Sequence, residues 1–270
     1  MKIGIGINEW AKNLPTALAE ACVDLNIQYE LIDLTNISEV EVTYLAPALL
    51  YMKPAAFNLY RKLEGAGVKT LNSVAAIEVA DDKSLTYKKL MAANIAQLPT
   101  QIINLSLEAM QKNFIAGGTV YKRTHGGQGR WVRLARSTNE IEAIYNEFLA
   151  EGPGSILVQP FIEEANGQTI RVIVTAGRVL ASAKRTATMD FRSNISAGGV
   201  QEAIEITPAE ENLAIAATSV LGLGHAGVDL IRANSGPAVL EVNACPDFTS
   251  MKEISEVNIA EEVIKTLLLK

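Results

Sequence analysis

Cysteine and histidine are scarce in this sequence, which argues against several classes of protein. The 270 residues include two cysteines, Cys22 and Cys245, and two histidines, His125 and His225. Because the cysteines stand far apart and match no metal-binding spacing, we expect reduced thiols and a cytoplasmic protein. Two histidines are too few for a histidine-rich metal centre.

Long apolar runs and an excess of positive charge are also missing. No run approaches the ~20 residues of a membrane-spanning helix, and the opening residues MKIGIGINEW lack the apolar core of a signal peptide. The 24 basic residues are outnumbered by 30 acidic ones, which gives a formal net charge of −6. We therefore expect neither a membrane nor a nucleic acid as partner.

The first 80 residues alternate between strand-like and helix-like patterns. Strands are predicted at 2–7, 28–33 and 68–72, and helices at 13–26 and 54–67, the second opened by Pro54. This order predicts a small parallel sheet covered by helices. The next helix, over 81–95, has Asp81 or Asp82 as its N-cap.

From residue 119 onwards, strand-like segments follow one another directly. They are predicted at 119–124, 130–135, 156–161, 169–176, 178–186, 226–232 and 237–243. Helices are predicted at 138–150, with Ser137 and Glu140 as a capping box, at 208–221, with Thr207 and Glu210, and from about residue 252. This half predicts an α+β architecture with antiparallel sheet.

The segment GLGHAG, residues 222–227, matches the glycine pattern of dinucleotide-binding loops. Such a loop must follow a strand and open a helix. Here the segment ends a predicted helix and precedes a strand, so we interpret it as a helix C-cap and turn. The chain also lacks GxxxxGK[ST], which excludes a P-loop.

The last predicted hairpin offers the best candidate for a metal site. If residues 234–236 form a three-residue loop, Ala233 pairs with Pro237, and counting back along both strands places Asp229 opposite Glu241. The alternative is a solvated outer face with scattered polar residues. Two like charges directly opposite each other are destabilising without a counterion, which disfavours this alternative.

A third oxygen ligand is available on the same face of this hairpin. Asn243 is two residues from Glu241, and alternate residues of a strand point to one side. Two carboxylates and a neutral amide suit magnesium that is held jointly with phosphate oxygens. The hairpin therefore predicts a metal site formed by Asp229, Glu241 and Asn243.

The segment TVYKRTHGGQGRWVRL, residues 119–134, joins two predicted strands by a glycine-rich loop. Gly126, Gly127 and Gly129 would let backbone N–H groups approach an anion, and Lys122 would add a point charge. The alternative is a hairpin with solvated basic residues. The loop alone does not decide between the two.

Two arginines form a third cluster of candidates. Arg171 lies in an alternating strand, and Arg192 lies in a polar loop beside Asn194. Arginine suits bidentate contact with phosphate or carboxylate, although both could be ordinary surface residues. Together with the loop and the carboxylates, these arginines suit a magnesium–nucleotide complex.

The order of these motifs resembles that of a known family. DDKSLTYKKL is followed by YKRTHGGQGRWV, LVQPFIEEANGQTIRVIV, DFRSNISAGGV and finally AGVDLIR with LEVNACP. This series is similar to the ATP-grasp ligases, specifically the RimK-type branch, over about residues 68–268. The resemblance implies an N-terminal α/β domain (1–80), a central lobe with the glycine-rich flap (81–158) and a C-terminal lobe (159–270) that clamp ATP.

The resemblance also implies roles for individual residues. Lys83, Lys122 and the flap Gly126–Gly129 would contact the ATP phosphates. The hinge would contact the adenine; its residues are Gln159, Pro160, Phe161 and Ile162. The metal, Mg²⁺ or Mn²⁺, would be held by Asp229, Glu241 and Asn243. Arg192 and Asn194, with Arg171 nearby, would steady the transferred phosphate and the acyl intermediate. Thr169 stands where the family often has an acidic ribose contact.

The implied activity is an ADP-forming ligase that joins a carboxylate to an amine through an acyl phosphate. An amino acid would be added to a peptide, protein or carrier; alternatives are a dipeptide or natural-product ligase, or a nucleotide-binding module without activity. Dimers or tetramers are common in the resembled family. The stretch 43–52 lacks the arginine of glutamate-adding members, so an apolar or peptide-like substrate is an alternative to glutamate.

Overall fold

A computed structural model describes the protein over residues 2–7, 13–33, 48–49, 57–127, 129–195 and 198–269. Within these ranges the strands form three sheets of three, four and five strands. The first sheet is parallel and the other two are antiparallel, as the two halves of the sequence predicted. None of the helices in the described ranges is long and apolar enough to cross a bilayer.

The parallel sheet has the strand order β2-β1-β3. Its strands are β1 (Lys2–Ile7), β2 (Gln28–Asp33) and β3 (Ala48–Leu49), and α1 (Leu14–Asp24) connects the first two. Ile3 and Ile5 of β1 are fully buried against α1 and the C-terminal helix. The helix predicted over 13–26 is confirmed; it begins one residue later and ends two residues earlier than predicted.

Of the strand predicted at 68–72 only a single bridge residue, Thr70, is present, and the third strand of the sheet is β3. The segment instead runs to the C-terminal half, where Asn72 is 5 % exposed. The Asn72 side chain donates to the carbonyls of His225 and Ala244, both at 2.7 Å, and accepts from the N–H groups of Gly224 and His225. Four hydrogen bonds to distant backbone outweigh the local strand preference of this segment.

Three helices follow the parallel sheet: α2 (Phe57–Gly65), α3 (Val74–Asp81) and α4 (Lys83–Ala92). Pro54, predicted to open α2, lies outside the described residues. Asp82 is the N-cap of α4, and its carboxylate accepts from the N–H groups of Ser84 and Leu85. The predicted cap therefore falls on Asp82, which places Lys83 at the first position of the helix.

The four-stranded sheet has the order β4-β7-β5-β6. It contains β4 (Gln101–Asn104), β5 (Thr119–Arg123), β6 (Val132–Ala135) and β7 (Ser155–Pro160), with α5 (Leu107–Lys112) and α6 (Ile141–Ala150). Tyr121, Phe148 and Ile156 are fully buried between the helices and one face of the sheet. The other face, with Lys122 and Gln159, is turned towards the C-terminal half.

The five-stranded sheet has the order β10-β9-β8-β11-β12. It contains β8 (Gln168–Thr175), β9 (Arg178–Thr186), β10 (Val200–Ala203), β11 (His225–Ala233) and β12 (Gly236–Asn243), and α7 (Pro208–Leu221) packs on it. Val172, Val228 and Val242 face α3, α4 and α7 in the largest apolar core. Because side chains alternate along a strand, the polar residues between them face the opposite side.

The last hairpin differs from its prediction in its turn but not in its key pairing. Ala233 pairs with Gly236, so the loop has two residues rather than three. A bulge between Asp229 and Leu230 then shifts the register by one residue, and Asp229 pairs with Glu241 as predicted. The extra residue of the bulge compensates for the residue missing from the loop.

Two helix starts also differ from their predictions. The C-terminal helix α8 spans Ile259–Leu269; a 3-10 turn (Thr249–Met251) and further turns and bends over 252–258 come first, so the helix begins well after the predicted start. A 3-10 turn at Thr138–Glu140 likewise precedes α6, and the Ser137 side chain bonds Glu140 instead of capping backbone N–H groups. By contrast, α7 has the predicted capping box of Thr207 and Glu210.

Replacing Asn72 by alanine should destabilise the fold. The substitution leaves buried backbone groups of the 224–225 and 244 segments without partners, so we expect the free energy of unfolding to fall by about 3 kcal/mol. Chemical denaturation followed by circular dichroism measures this change. The exposed Asn104→Ala is the control and should stay within about 0.5 kcal/mol of wild type. Equal stability of the two variants would contradict this role of Asn72.

Candidate active site

A strip of charged side chains crosses the middle of the five-stranded sheet. Arg171 on β8 pairs with Asp229 on β11, which in turn pairs with Glu241 on β12. Both carboxylate oxygens of Asp229 accept from Arg171, at 2.6 Å from Nε and 2.8 Å from Nη2. Arg171 and Asp229 are each 6 % exposed, so this ion pair is buried. Sheet register alone therefore brings three of the predicted site residues together.

Two lysines approach Glu241 from other elements. Lys83 at the start of α4 places its Nζ 3.3 Å from Glu241 Oε1. Lys122 reaches the cleft from β5 and is 8 % exposed. Burial lowers the pKa of Lys122 to about 8, although Glu241 acts in the opposite direction. Burial alone would raise the pKa of Glu241, but Lys83, Lys122 and Arg171 hold it below its usual value.

Arg185 belongs to this cluster and was missed by the sequence analysis. It pairs with Thr169 across β8 and β9, is 5 % exposed, and places its Nη1 3.9 Å from Asp229 Oδ1. Its Nε is buried without a hydrogen-bond partner. Burial and the neighbouring Arg171 lower the pKa of Arg185 to about 10. The alternation of β9 could have indicated it, since Arg185 faces the same side as Arg171 and Asp229.

The glycine-rich loop covers the cleft and touches two of the predicted site residues. Lys83 Nζ donates to the carbonyl of Gly126 at 2.6 Å, and Arg192 Nη1 donates to the carbonyl of Gly129 at 2.9 Å. Gly126 has φ +108°, and a Cβ there would lie 2.9 Å from Trp131 Cδ1. Gly127 is exposed at the tip of the loop. The loop therefore bridges α4 and the segment that carries Arg192.

Three further basic residues of this loop have structural contacts. Arg123 donates to the carbonyls of Phe148 and Gly152 at the end of α6. His125 Nδ1 lies 3.3 Å from Asp81 Oδ2, and the guanidinium of Arg130 stacks 5.1 Å from the Trp131 ring centre. These contacts hold the base of the loop against the two helices beside it.

The segment around Arg192 is held in place by local hydrogen bonds. Asp190 accepts from the backbone N–H of Arg192 at 2.7 Å and from its Nε at 2.9 Å, which lowers the pKa of Asp190. Ser193 and Thr169 share a hydrogen bond of 2.6 Å between their hydroxyls. Asn194 faces the flap, where a Cβ on Gly129 would lie 3.0 Å from its Oδ1. Arg192, Asn194 and Thr169 thus line the cleft together.

A cavity of about 100 Å³ lies between the two antiparallel sheets. The predicted hinge residues Gln159, Pro160, Phe161 and Ile162 line it, as do Asp229 and Glu241. One end is apolar, with Phe161 packed edge-on against Phe191 at 6.1 Å. The other end contains the charged strip, so the cavity joins an apolar compartment to a charged one.

The carbonyl oxygen of the Gln159 side chain is buried in this region without a partner. Its Nε2 donates to Thr100 Oγ1 at 2.8 Å, and Thr100 Oγ1 in turn donates to the carbonyl of Leu98 at 2.9 Å. Because the Thr100 hydroxyl proton is already used, the Gln159 amide must keep this orientation. Oε1 therefore remains an acceptor in need of a donor.

The oxygen ligands beside the charged strip are sufficient for a hard divalent cation only if the side-chain amide of Asn243 takes part. Within the described ranges, no three His, Cys, Asp or Glu side chains are grouped for metal binding. Asp229 and Glu241 face each other, and Asn243, paired with Gly227, lies two residues beyond Glu241. Two carboxylates and one amide oxygen leave positions for phosphate oxygens, which suits Mg²⁺.

The glycine motif at 222–227 is a turn, as interpreted from the sequence. Gly222 has φ +75° and is the C-cap of α7, and its N–H bonds the carbonyl of Ser219. His225 then begins β11. No helix begins at this motif, so it cannot present a helix N-terminus to a pyrophosphate.

Solved structures with the same architecture define the class of this protein. The RimK-domain ATP-grasp protein from Sphaerobacter thermophilus has a TM-score of 0.80 at 22 % identity, over 99 % of this chain and all of that one. D-alanine–D-alanine ligase from Bacillus anthracis has a TM-score of 0.75 at 18 % identity, over 100 % and 98 % of the two chains. The fold is therefore the ATP-grasp fold.

Sequence comparison identifies the family within this class. The model of the RimK-like ATP-grasp domain matches residues 80–267, so the chain belongs to the RimK-like ATP-grasp family. A probable alpha-L-glutamate ligase from Desulfotalea psychrophila is 36 % identical over 217 residues, which is 79 % of this chain and 47 % of that protein. A probable alpha-L-glutamate ligase from Maridesulfovibrio salexigens is 36 % identical over 208 residues, which is 76 % of this chain and 68 % of that protein. The chain thus spans about half the length of the first relative.

Proposed function

We propose that the protein is an ATP-dependent carboxylate–amine ligase that forms an amide bond and releases ADP and phosphate. The observation that carries this proposal is the buried cleft in which Lys83, Lys122, Arg171 and Arg185 surround Asp229 and Glu241 beneath a glycine-rich flap. Cations outnumber carboxylates among these side chains. Such a cleft favours a polyanion such as a triphosphate.

The base of ATP belongs at the apolar end of the cavity. Phe161 and Ile162 supply apolar surface there, and Gln159 Oε1 is an acceptor without a donor. The exocyclic amino group of adenine donates, whereas guanine has a carbonyl at the equivalent position. Gln159 therefore favours adenine over guanine. Thr169, fixed by Ser193, is the proposed ribose contact in place of an acidic residue.

The phosphates belong at the charged end, under the flap. Lys83 and Lys122 are the proposed phosphate contacts, together with the N–H groups of Gly126, Gly127 and Gly129. Asp229, Glu241 and Asn243 would hold Mg²⁺. When bound, the metal neutralises phosphate charge and orients the γ-phosphate. Manganese has the same oxygen preference and could replace magnesium.

The proposed reaction has two steps. A substrate carboxylate oxygen attacks the γ-phosphorus of ATP, the bond to the β–γ bridging oxygen breaks, and an acyl phosphate and ADP form. The nitrogen of an amine then attacks the acyl carbon, loses a proton and displaces phosphate. Arg192 and Asn194 line the cleft where charge develops, Arg171 lies behind them in its ion pair with Asp229, and Arg185 adds an unpaired N–H donor. A closed flap keeps water from the acyl phosphate.

The substrates, location and domain division are parts of the same proposal. We infer an amino acid as one substrate and a peptide, protein or carrier carboxylate as the other, in the cytoplasm. Domains over 1–80, 81–158 and 159–270 are supported by one sheet in each, although β7 reaches Pro160. ADP release over a panel of acids and amines, with products identified by mass spectrometry, tests the activity. Bound ATP without substrate-dependent ADP would favour a silent nucleotide-binding module.

Removing a proposed metal ligand should abolish turnover without unfolding the protein. We expect Glu241→Ala and Asn243→Ala to lower ADP release at least about a hundredfold, because phosphate charge is then poorly neutralised. Circular dichroism verifies the fold, and Asn104→Ala is the control. Wild-type ADP release in either variant, or undiminished activity in excess chelator, would refute the metal assignment.

Nucleotide binding should weaken as pH rises through the pKa of Lys122. With its pKa near 8 in the folded protein, Lys122 is charged below that pH and neutral above it. We expect the affinity for a nonhydrolysable ATP analogue with Mg²⁺ to fall up to about tenfold between pH 8 and 9.5. Lys122→Arg stays charged over this range and should show a flatter profile. Parallel profiles in the two proteins would exclude Lys122 as the cause.

Replacing Gln159 by leucine should affect stability and binding in opposite directions. Removing a buried acceptor without a partner should leave the denaturation midpoint unchanged or higher. Loss of the contact to the adenine amino group should weaken binding of the ATP analogue about tenfold. The control is Gln101→Leu on the exposed part of β4. Wild-type affinity in Gln159→Leu would show that its side chain does not contact the base.

A further inference from the structure

A second cavity, of about 50 Å³, lies where the parallel sheet meets the C-terminal half. Its walls come from Gly6 at the carboxyl end of β1, Leu14 and Leu18 of α1, Val263 of α8 and the segment Ala244–Pro246. Ligands of parallel α/β sheets bind at the carboxyl ends of the strands, where Gly6 lies. No role assigned above uses this cavity.

This cavity adjoins the charged strip of the active site. Ala244, Cys245 and Pro246 directly follow the proposed metal ligand Asn243. A Cβ built on Gly227 would lie 2.6 Å from Arg171 Nη1 and 2.7 Å from Pro246 Cβ. The Arg171 guanidinium and the Pro246 ring are therefore neighbours, and Pro246 also lines the cavity.

The lining of the cavity has no charge to offer a ligand. Among the described residues that line it there is no Lys, Arg, Asp or Glu. Burial lowers the pKa of His225 to about 4, so this residue is neutral, and its Nδ1 bonds Thr175 Oγ1 at 2.8 Å. The Asn72 side chain is committed to four backbone bonds, and Tyr60 Oη donates to the Asn72 carbonyl at 3.0 Å. Among these described residues, a buried carboxylate would find no cationic partner.

We propose that this cavity is the side-chain pocket for the amino-acid substrate and that it selects an aliphatic side chain over an acidic one. The inference rests on the proposed ligase function and specifies one substrate class. The cavity of about 50 Å³ exceeds the roughly 10–15 Å³ that one water needs, so it has room for a small aliphatic side chain such as that of valine or leucine. Placing the carboxylate of glutamate there would leave a charge without compensation.

Calorimetric titration tests this selectivity directly. Valine, leucine and glutamate are titrated into the protein saturated with a nonhydrolysable ATP analogue and Mg²⁺. We expect valine and leucine to bind at least about tenfold more tightly than glutamate, because an unpaired buried carboxylate is costly. Equal or tighter binding of glutamate would overturn the proposal. Absence of valine and leucine binding would also overturn it and would make the cavity a packing gap between domains.

Two substitutions on α1 change the cavity in different ways. Leu14→Phe fills it and should lower leucine affinity at least about tenfold with unchanged affinity for the ATP analogue. Leu14→Arg adds a cation and should shift the preference towards glutamate, a gain that misfolding cannot produce. Val23→Phe lies on the same helix but is 65 % exposed, so it is the matched control. Leucine binding by Leu14→Phe equal to that of Val23→Phe would refute the assignment.

Failure of the aliphatic-pocket proposal can be distinguished from failure of the ligase proposal. Amino-acid affinity is measured without turnover, whereas ligase activity is read from substrate-dependent ADP release. ADP release with glutamate but not with leucine would overturn the aliphatic pocket and leave the ligase intact. Leucine binding that Leu14→Phe abolishes, together with no ADP release from any pair, would support the pocket and count against the ligase.

Discussion

The buried ion pair between Arg171 and Asp229 fixes the geometry of the whole cleft. A buried carboxylate without a partner costs several kcal/mol, and removing one partner of such a pair typically costs 3–5 kcal/mol. Register between β8 and β11 sets the two residues directly opposite each other. Strand alternation then places Glu241 and Arg185 on the same face, so one pairing determines where four charged side chains of this sheet meet.

The cleft of the free protein contains groups that a ligand would satisfy. The pKa of Lys122 is depressed, Arg185 Nε lacks an acceptor, and Gln159 Oε1 lacks a donor. Each feature destabilises the free protein, and such groups concentrate at functional sites rather than in ordinary cores. Their arrangement, with an acceptor at the apolar end and donors at the charged end, matches the polarity of a nucleotide.

Periodicity and spacing predicted most of the fold, the last hairpin, the glycine-rich loop and the arginine cluster, whereas Lys83, the hinge and Thr169 were implied by the resemblance to the ATP-grasp ligases. The alternating strands and the motifs around Lys122, Arg192 and Glu241 are local, so the sequence carries them directly. The segment 68–72 was misread because Asn72 bonds backbone more than 150 residues away, which no local pattern contains. Arg185 was missed although the alternation of β9 places it on the charged face, because the partners that give it a role come from neighbouring strands. The pairing of Asp229 with Glu241 was correct only because a bulge offsets a shorter turn.

The flap contacts have a consequence for how a nucleotide enters. In the free protein the carbonyls of Gly126 and Gly129 accept from Lys83 and Arg192, two of the groups proposed for phosphate binding. A phosphate oxygen that arrives at either side chain therefore displaces a carbonyl instead of filling an empty position. Entry becomes an exchange of acceptors in which Lys83 and Arg192 keep a hydrogen-bond partner, so release of these flap contacts and binding of the triphosphate are coupled steps.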